Sequence, residues 1–274
     1  MNDPDKMMEQ LELEKSLKKI KHNIVVLSGK GGVGKSTIAA NMALTLAGSG
    51  YNVGLLDVDF HGPTIPKLLG LEGSKPGQDG NKLIPVDYAS NLKVISLGML
   101  VNSDDAVIWR GPMKMGALQQ LLRDVNWGEL DYLIFDCPPG TGDEPLSIVQ
   151  LIPKATGAVV VTTPQAVSTA DVRRSIKFCH KVNLPVIGVI ENMSGYKNPE
   201  SGEMLNLFGH GGGERMAAEM NETFLGRIPI DPKIVELSDS GQPFVVHAPK
   251  SETNQTFVKI MEEMLKRIEE LEKS

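Results

Sequence analysis

The sequence predicts an α/β fold: a doubly wound, mostly parallel sheet with helices on both faces. Three observations predict it. Short apolar β-type runs recur, at 24–27, 53–56, 94–97, 132–135, 158–161, 186–190 and 224–228. Helical patterns fill the intervals, at 37–47, 113–124, 145–151, 168–181 and 214–220. A glycine-rich loop joins the first run to the first helix. Because most runs are continuous rather than alternating, we expect strands that are buried on both faces.

Composition limits the classes of function. The chain has 274 residues, of which 41% are hydrophobic and 23% charged, which is ordinary for a globular protein. Its net charge of −6 argues against an electrostatic hold on nucleic acid or anionic lipid, so we expect no nucleic-acid partner and no stable membrane association. Two cysteines and no recognisable secretory signal predict a cytoplasmic location.

We predict one main domain with two flanking segments. Residues 1–22 form a polar arm with a weak helix, residues 23–250 form the domain, and residues 251–274 form an amphipathic helix. The polar face of this last helix mixes lysine and arginine with glutamate, whereas a membrane-surface helix would be mostly basic there. We therefore expect it to pack on its own domain or on a partner subunit.

The glycine-rich loop has the pattern of a P-loop, GKGGVGKS, and lies between a strand and a helix. Its glycines let successive backbone N–H groups point at phosphate oxygens, aided by the positive end of the helix. Lys35 is expected to reach the β- and γ-phosphates, and Ser36 to bind Mg²⁺. The predicted phosphate-binding residues are Gly29, Lys30, Gly31, Gly32, Val33, Gly34, Lys35, Ser36 and Thr37.

Three carboxylates follow predicted strands. Asp57 and Asp59 end the second strand, and Asp136 ends a later one, before the turn CPPGTGD. A single aspartate at a strand end is more often a helix cap. Three of them near one P-loop favour a role in holding Mg²⁺ or in placing the attacking water.

The early lysine of the loop, Lys30, makes it a deviant Walker A motif, KGGxGK[ST]. This motif is shared by MinD, ParA, the nitrogenase iron protein and the Mrp (ApbC) group. Within that superfamily, residues 22–250 resemble an Mrp-type ATPase, a family of iron–sulfur cluster carriers. The strings that carry the resemblance are LDVDFHGPTIP from Leu56, WRGPM from Trp109, DCPPGTGD from Asp136, ENMS from Glu191 and FGHGGG from Phe208.

The resemblance implies roles for individual residues. Lys30 matches the lysine that crosses a homodimer interface to the partner's nucleotide, and Asp59 the carboxylate that orients water. The implied catalytic residues are thus Lys30, Lys35 and Asp59, and the implied Mg²⁺ residues are Ser36, Asp57 and Asp136. Asn192 matches the asparagine that reads the adenine edge. The loop over the base contributes Arg227, Pro229 and Asp231.

The chain departs from the family at the cluster site. Mrp-type carriers place a Cys-x-x-Cys pair shortly after the ENMS string, and two pairs bridge a [4Fe–4S] cluster. Here Asn198 and Ser201 stand at those positions, and neither supplies a thiolate. Cys137, in the turn beside the nucleotide, could provide two thiolates per dimer, fewer than the usual four. Packing is the favoured interpretation of Cys137 and of Cys179.

These observations predict a homodimeric protein that binds ATP or ADP with Mg²⁺ and hydrolyses ATP slowly. Its expected role is iron–sulfur cluster or metal-cofactor assembly, with apo iron–sulfur proteins as clients. Two alternatives stay open: a MinD/ParA-like positioning protein switched by nucleotide, and an ATP-gated scaffold that carries no cluster. Both share the P-loop, so the P-loop does not decide between them.

Overall fold

A computed structural model of the chain describes residues 4–60, 62–100, 111–152, 154–198 and 200–273, with side chains described from residue 11 onward except at 111–112 and 166–169. Trp109 and Arg110, which carry part of the family resemblance, lie outside these residues, as does His61 of the LDVDFHGPTIP string.

One eight-stranded sheet forms the centre of the protein, in the order β12-β9-β8-β1-β7-β2-β6-β5. Its strands are β1 (Ile20–Ser28), β2 (Val53–Asp57), β5 (Val86–Ala89), β6 (Leu92–Ser96), β7 (Leu130–Asp136), β8 (Gly157–Thr162), β9 (Val186–Glu191) and β12 (Phe224–Arg227). Two small hairpins pair β3 (Gly77–Asp79) with β4 (Lys82–Ile84) and β10 (Tyr196–Lys197) with β11 (Met204–Leu205). Every pairing in the large sheet is parallel except that of β5 with β6, at the edge.

Helices cover both faces of the sheet. They are α1 (Pro4–Leu17), α2 (Lys35–Gly48), α3 (Ile65–Leu68), α4 (Gly111–Asp124), α5 (Asp143–Leu151), α6 (Ala166–Lys181), α7 (Gly212–Glu219), α8 (Pro232–Asp239), α9 (Phe244–His247) and α10 (Glu252–Lys273). One hydrophobic core joins the sheet to α1, α4, α5, α6 and α7, and a second joins it to α2, α3, α9 and α10. The predicted doubly wound, mostly parallel fold is thus confirmed.

All seven predicted strands occur, and each strand end lies within four residues of the corresponding end of the apolar run. The apolar and helical patterns do not predict the short strands and helices, among them β5, the two hairpins, α8 and α9. The reason is physical: β5 alternates between partly buried and exposed residues, and the paired hairpin strands are only two or three residues long. A continuous apolar run is the signature of a central parallel strand and not of such edges.

The two flanking segments pack against the sheet. In α1, Leu13 and Leu17 are buried in the same core as Leu118 and Leu121 of α4. In α10, Phe257 is buried in the opposite core, together with the rest of that helix's apolar stripe. None of the helices in the described ranges is long and apolar enough to cross a bilayer.

The packing of α1 generates a stability prediction. Leu17 is 4% exposed, whereas Leu11 on the same helix is 46% exposed. Leu17→Ala should lower the free energy of unfolding by about 2–4 kcal/mol, because it removes buried methyl groups and leaves a cavity. Leu11→Ala, the matched control, should change it by less than about 0.5 kcal/mol. Urea unfolding measures both values, and equal midpoints for the two variants would contradict the packing of α1.

Candidate nucleotide site

The carboxyl ends of the central strands bring the predicted site residues to one edge of the sheet. The P-loop follows β1 directly, and β1 lies between β8 and β7. Asp57 at the end of β2 and Asp136 at the end of β7 are register partners. A parallel sheet places ligands at this edge, where the chain connections diverge to the two faces.

The P-loop wraps around a cavity of about 320 Å³. The residues that line it are Ser28, Gly31, Gly32, Gly34, Lys35, Ser36, Thr37, Asp59, Gly62, Thr64, Leu68 and Pro139. Gly34, with φ of 84°, ends the loop and begins α2. A Cβ at Gly34 would lie 2.3 Å from Nδ2 of Asn192, so only glycine fits this position beside the strand that ends at Glu191.

A buried ion pair occupies the base of the cavity. Nζ of Lys35 lies 2.5 Å from Oδ1 of Asp136; the Lys35 side chain is 6% exposed and the Asp136 side chain fully buried. Burial alone would lower the pKa of Lys35, but the charge and hydrogen bond of Asp136 outweigh it, and the pKa is raised. The lysine is therefore charged, and it lines the cavity.

Asp57 holds the loop that carries Asp59. Its Oδ1 accepts a hydrogen bond from the Asp59 backbone N–H at 3.1 Å, and its Oδ2 accepts bonds from Ser96 Oγ at 2.9 Å and from the Ile65 N–H at 3.3 Å. Burial, and then the neighbouring charge of Asp136, raise the pKa of Asp57. Asp57 thus fixes the position of the cavity-lining Asp59.

The donor atoms at the cavity suit a hard cation such as Mg²⁺. Oδ2 of Asp136 is buried and has no hydrogen-bond partner within the described ranges. The cavity itself is lined by Ser36, which brings a hydroxyl, and by Lys35, the ion-pair partner of Asp136. Carboxylate and hydroxyl oxygens are the ligands that Mg²⁺ prefers, completed by water and phosphate oxygens. The described part of the chain contains no group of three or more His, Cys, Asp or Glu side chains arranged around one point for a metal.

Lys30 points to its own subunit. Its Nζ donates a hydrogen bond to Oε1 of Gln165 at 3.1 Å, and the Ser28 hydroxyl donates to the Lys30 carbonyl at 3.0 Å. Gln165 immediately precedes α6 and was not predicted as a site residue. It lies four residues beyond the predicted apolar run 158–161, whereas Asp57 and Asp136 directly follow theirs, so the sequence gives it only a weak signal.

The residues predicted to contact the base have partners within the chain. Asn192 donates from Nδ2 to the Val33 carbonyl of the P-loop at 2.9 Å. Arg227 lies beside Glu191 and Glu214. Asp231 caps α8, accepting from the Lys233 N–H at 3.0 Å, and also accepts from the Thr253 hydroxyl. Pro229 is half-buried in the same segment. Their contacts with a base stay predictions.

Glu191, a second residue that the sequence analysis missed, organises the segment after β9. This fully buried carboxylate accepts from Ser194 Oγ at 2.6 Å and from the N–H groups of Gly211 at 3.0 Å and Gly213 at 2.6 Å. It therefore fixes both ends of segment 194–213, which carries the β10–β11 hairpin. In the sequence, Glu191 could have been recognised as an acidic residue that directly follows the apolar run 186–190.

Both cysteines are fully buried. Burial raises the pKa of the Cys137 thiol, an effect that the Lys35 charge opposes only in part. Burial also raises the pKa of Cys179 to about 12. A thiolate is the form that binds iron, so this environment disfavours both cysteines as ligands and favours the packing interpretation.

The positions of the missing cysteine pair lie at the tip of the β10–β11 hairpin. Oδ1 of Asn198 accepts from the N–H of Glu200 at 2.8 Å and of Ser201 at 3.3 Å, and Oγ of Ser201 accepts from the Glu203 N–H at 3.2 Å. The two side chains thus stabilise the turn. Beyond the tip, exposed apolar side chains follow at Met204, Leu205, Leu207 and Phe208.

Known proteins resemble the chain over most of its length. A model of the ParA family, described as NUBPL iron-transfer P-loop NTPase, matches residues 19–265. A protein of Saccharolobus solfataricus named iron-sulfur cluster carrier protein is 48% identical over 94% of this chain and 88% of its own length. One of Candida glabrata, named cytosolic Fe-S cluster assembly factor CFD1, is 49% identical over 87% of each chain.

Solved structures agree with the fold. A nucleotide-binding protein from Archaeoglobus fulgidus in complex with ADP is 38% identical, with a TM-score of 0.78 over 90% of this chain and 96% of that one. The cell division ATPase MinD of Pyrococcus furiosus is 25% identical, with a TM-score of 0.64 over 90% and 99%. The predicted resemblance to the cluster-carrier branch of this superfamily is confirmed. The chain therefore belongs to the ParA family of NUBPL-type iron-transfer P-loop NTPases.

Proposed function

We propose that this protein is a homodimeric ATPase of low turnover that acts in iron–sulfur cluster assembly. The observation that carries the proposal is the preformed phosphate cavity, in which the buried Lys35 is charged and Asp59 faces the P-loop. The high identity to proteins named as cluster carriers supports the cluster-assembly role. Apo iron–sulfur proteins are the clients of such an activity.

ATP binding replaces the ion pair with a phosphate contact. The nucleotide's negative charge attracts Nζ of Lys35, which hydrogen-bonds the β- and γ-phosphate oxygens in exchange for Oδ1 of Asp136. The released carboxylate and the Ser36 hydroxyl are the groups that would hold Mg²⁺, which would offset phosphate charge. The backbone N–H groups of the P-loop and the start of α2 bind the remaining oxygens.

Hydrolysis requires a positioned water and a further positive charge. The Asp59 carboxylate orients the water, whose oxygen bonds to the γ-phosphorus while the bond to the ADP oxygen breaks and the proton passes to phosphate or solvent. Lys30 supplies its charge to the partner subunit's nucleotide, so an isolated subunit lacks one stabilising cation. Slow turnover that rises with dimer formation follows from this arrangement.

The cluster's thiolates come from another protein in this proposal. The full sequence contains two cysteines, and both are buried. Asn198 and Ser201 use their oxygens within the hairpin turn. In this proposal, nucleotide binding changes the conformation of the loop of Asp59 and of the turn that ends at Asp143. A partner with a Cys-x-x-Cys pair contributes the thiolate ligands of the cluster.

A membrane-positioning role is less well supported than cluster assembly. Such a role would use an apolar helix face for lipid, but the stripe of α10 that contains Phe257 and Met264 is buried against the sheet. The exposed side of α10 pairs Lys266 with Glu263 and Arg267 with Glu270, so it has no excess of positive charge.

Lys35→Ala tests the phosphate site. The variant should weaken ATP binding by at least about a hundredfold, because it removes a buried cation that contacts two phosphates. Titration with a fluorescent ATP analogue measures the dissociation constant, with Lys259→Ala, an exposed lysine of α10, as control. Circular dichroism verifies folding, since the variant leaves Asp136 buried without its partner. Wild-type affinity in a folded Lys35→Ala variant would refute the site.

Lys30→Ala tests the contribution across the dimer. ATP affinity should stay within about twofold of wild type, while turnover should fall by roughly a hundredfold or more, the usual cost of removing one group that stabilises transition-state charge. A phosphate-release assay at high protein concentration measures turnover, again beside Lys259→Ala. Unchanged hydrolysis would rule out the proposed role of Lys30.

Anaerobic reconstitution tests the source of the thiolates. Wild type incubated with iron and sulfide should retain no more iron and sulfide per dimer than Cys137→Ser or its matched control Cys179→Ser, because both thiols are buried and protonated. A relative with the Cys-x-x-Cys pair, treated identically, serves as the positive control. A cluster that forms in wild type and in Cys179→Ser but not in Cys137→Ser would instead make Cys137 a cluster ligand.

A further inference from the structure

The contact between Lys30 and Gln165 is unusual for the start of a helix. Gln165 occupies the N-cap position of α6, yet its side chain makes no capping hydrogen bond. Serine, threonine, aspartate or asparagine usually fill that position because their short side chains reach the helix N–H groups. The longer glutamine side chain instead accepts the hydrogen bond of Lys30 at 3.1 Å.

The backbone on both sides of this contact is fixed. A Cβ on Gly29 would lie 2.5 Å from Cβ of Asp171 and 2.6 Å from its backbone carbonyl carbon and oxygen, so α6 packs directly on the first turn of the P-loop. The Ser28 hydroxyl holds the Lys30 carbonyl. The geometry that brings Nζ to Oε1 is therefore set by close packing and not by the two flexible side chains alone.

No acidic side chain neutralises Lys30 within the part of the chain that the structure describes. Within the described ranges, no carboxylate forms an ion pair with it. Asp171, the acidic residue of α6 that lies against Gly29, pairs with Arg174 at 3.0 Å. A neutral amide orients the ammonium without neutralising it, and this hydrogen bond can be exchanged for one to a phosphate oxygen, whose negative charge makes it the stronger acceptor.

We propose that Gln165 is a positioning residue that holds Lys30 within its own subunit until dimerisation, when the lysine exchanges the Gln165 oxygen for a phosphate oxygen of the partner's nucleotide. This inference rests on the proposed ATP-dependent dimer and adds the step that controls its formation. A glutamate at position 165 would bind Lys30 as an ion pair and oppose the exchange, whereas an alanine would release the lysine.

The resting contact is tested by competitive labelling of lysines in the nucleotide-free protein. With trace acetic anhydride and mass spectrometry, the reactivity of Lys30 relative to the exposed Lys259 should rise about threefold in Gln165→Ala and fall about threefold in Gln165→Glu. Gln255→Ala, an exposed glutamine of α10, is the matched control. Equal Lys30 reactivity in all four proteins would overturn the proposal.

The exchange is tested by ATP-dependent dimerisation, measured by sedimentation velocity across protein concentrations. Gln165→Glu should raise the half-point of dimerisation roughly fivefold or more, and added salt should reduce this shift because ion pairs are screened. On a Lys30→Ala background, Gln165→Glu should leave the half-point of dimerisation unchanged.

Two results would overturn the exchange. One is a half-point that Gln165→Glu still raises in the Lys30→Ala protein. The other is a half-point that Gln165→Glu does not raise although the wild type dimerises normally. If the wild type forms no ATP-dependent dimer, the proposed function is refuted. The lysine labelling would still show whether Gln165 holds Lys30 in the nucleotide-free protein.

Discussion

The buried ion pair between Lys35 and Asp136 is the interaction on which the rest of the site depends. A charged lysine that is 6% exposed requires a close carboxylate, because an unpaired ion in the protein interior costs several kcal/mol. Asp136 can serve only because β7 lies next to β1, which places its end beside the P-loop. The order of the strands thus determines the charge state of the phosphate-binding group.

The same ion pair explains how nucleotide binding can reach distant segments. Asp136 is the register partner of Asp57, and Asp57 holds the loop of Asp59 by accepting hydrogen bonds from the N–H groups of Asp59 and Ile65. When Lys35 moves from Asp136 to phosphate, the charge balance of these two neighbouring carboxylates changes. Because the loop of Asp59 depends on Asp57, the proposed exchange would couple the position of this loop to the occupancy of the cavity. A two-state element near the nucleotide is what a switch protein requires.

The central strands and the P-loop could be predicted from the sequence because each has a strong local signal. Continuous apolar runs identify the parallel strands, and glycines followed by Lys-Ser identify the loop. The edge strand β5 and the hairpins lack such a signal, since their residues are half-exposed and their lengths short. Gln165 and Glu191 were missed for a different reason. Their roles come from the approach of α6 to Gly29 and of segment 194–213 to β9, which are contacts distant in sequence.

Asn198 and Ser201, at the positions expected for a cysteine pair, stabilise the turn of the β10–β11 hairpin. Asn198 and Ser201 accept hydrogen bonds from backbone N–H groups, so the hairpin keeps its shape without a metal. Glu191 fixes both ends of the segment that carries this hairpin, and the next residue, Asn192, contacts the P-loop. The chain therefore has a physical connection between the nucleotide cavity and the hairpin, although neither Asn198 nor Ser201 supplies a thiolate. A nucleotide-dependent change at the cavity would reach the hairpin through this connection, which fits the proposed partner whose cysteines complete the site.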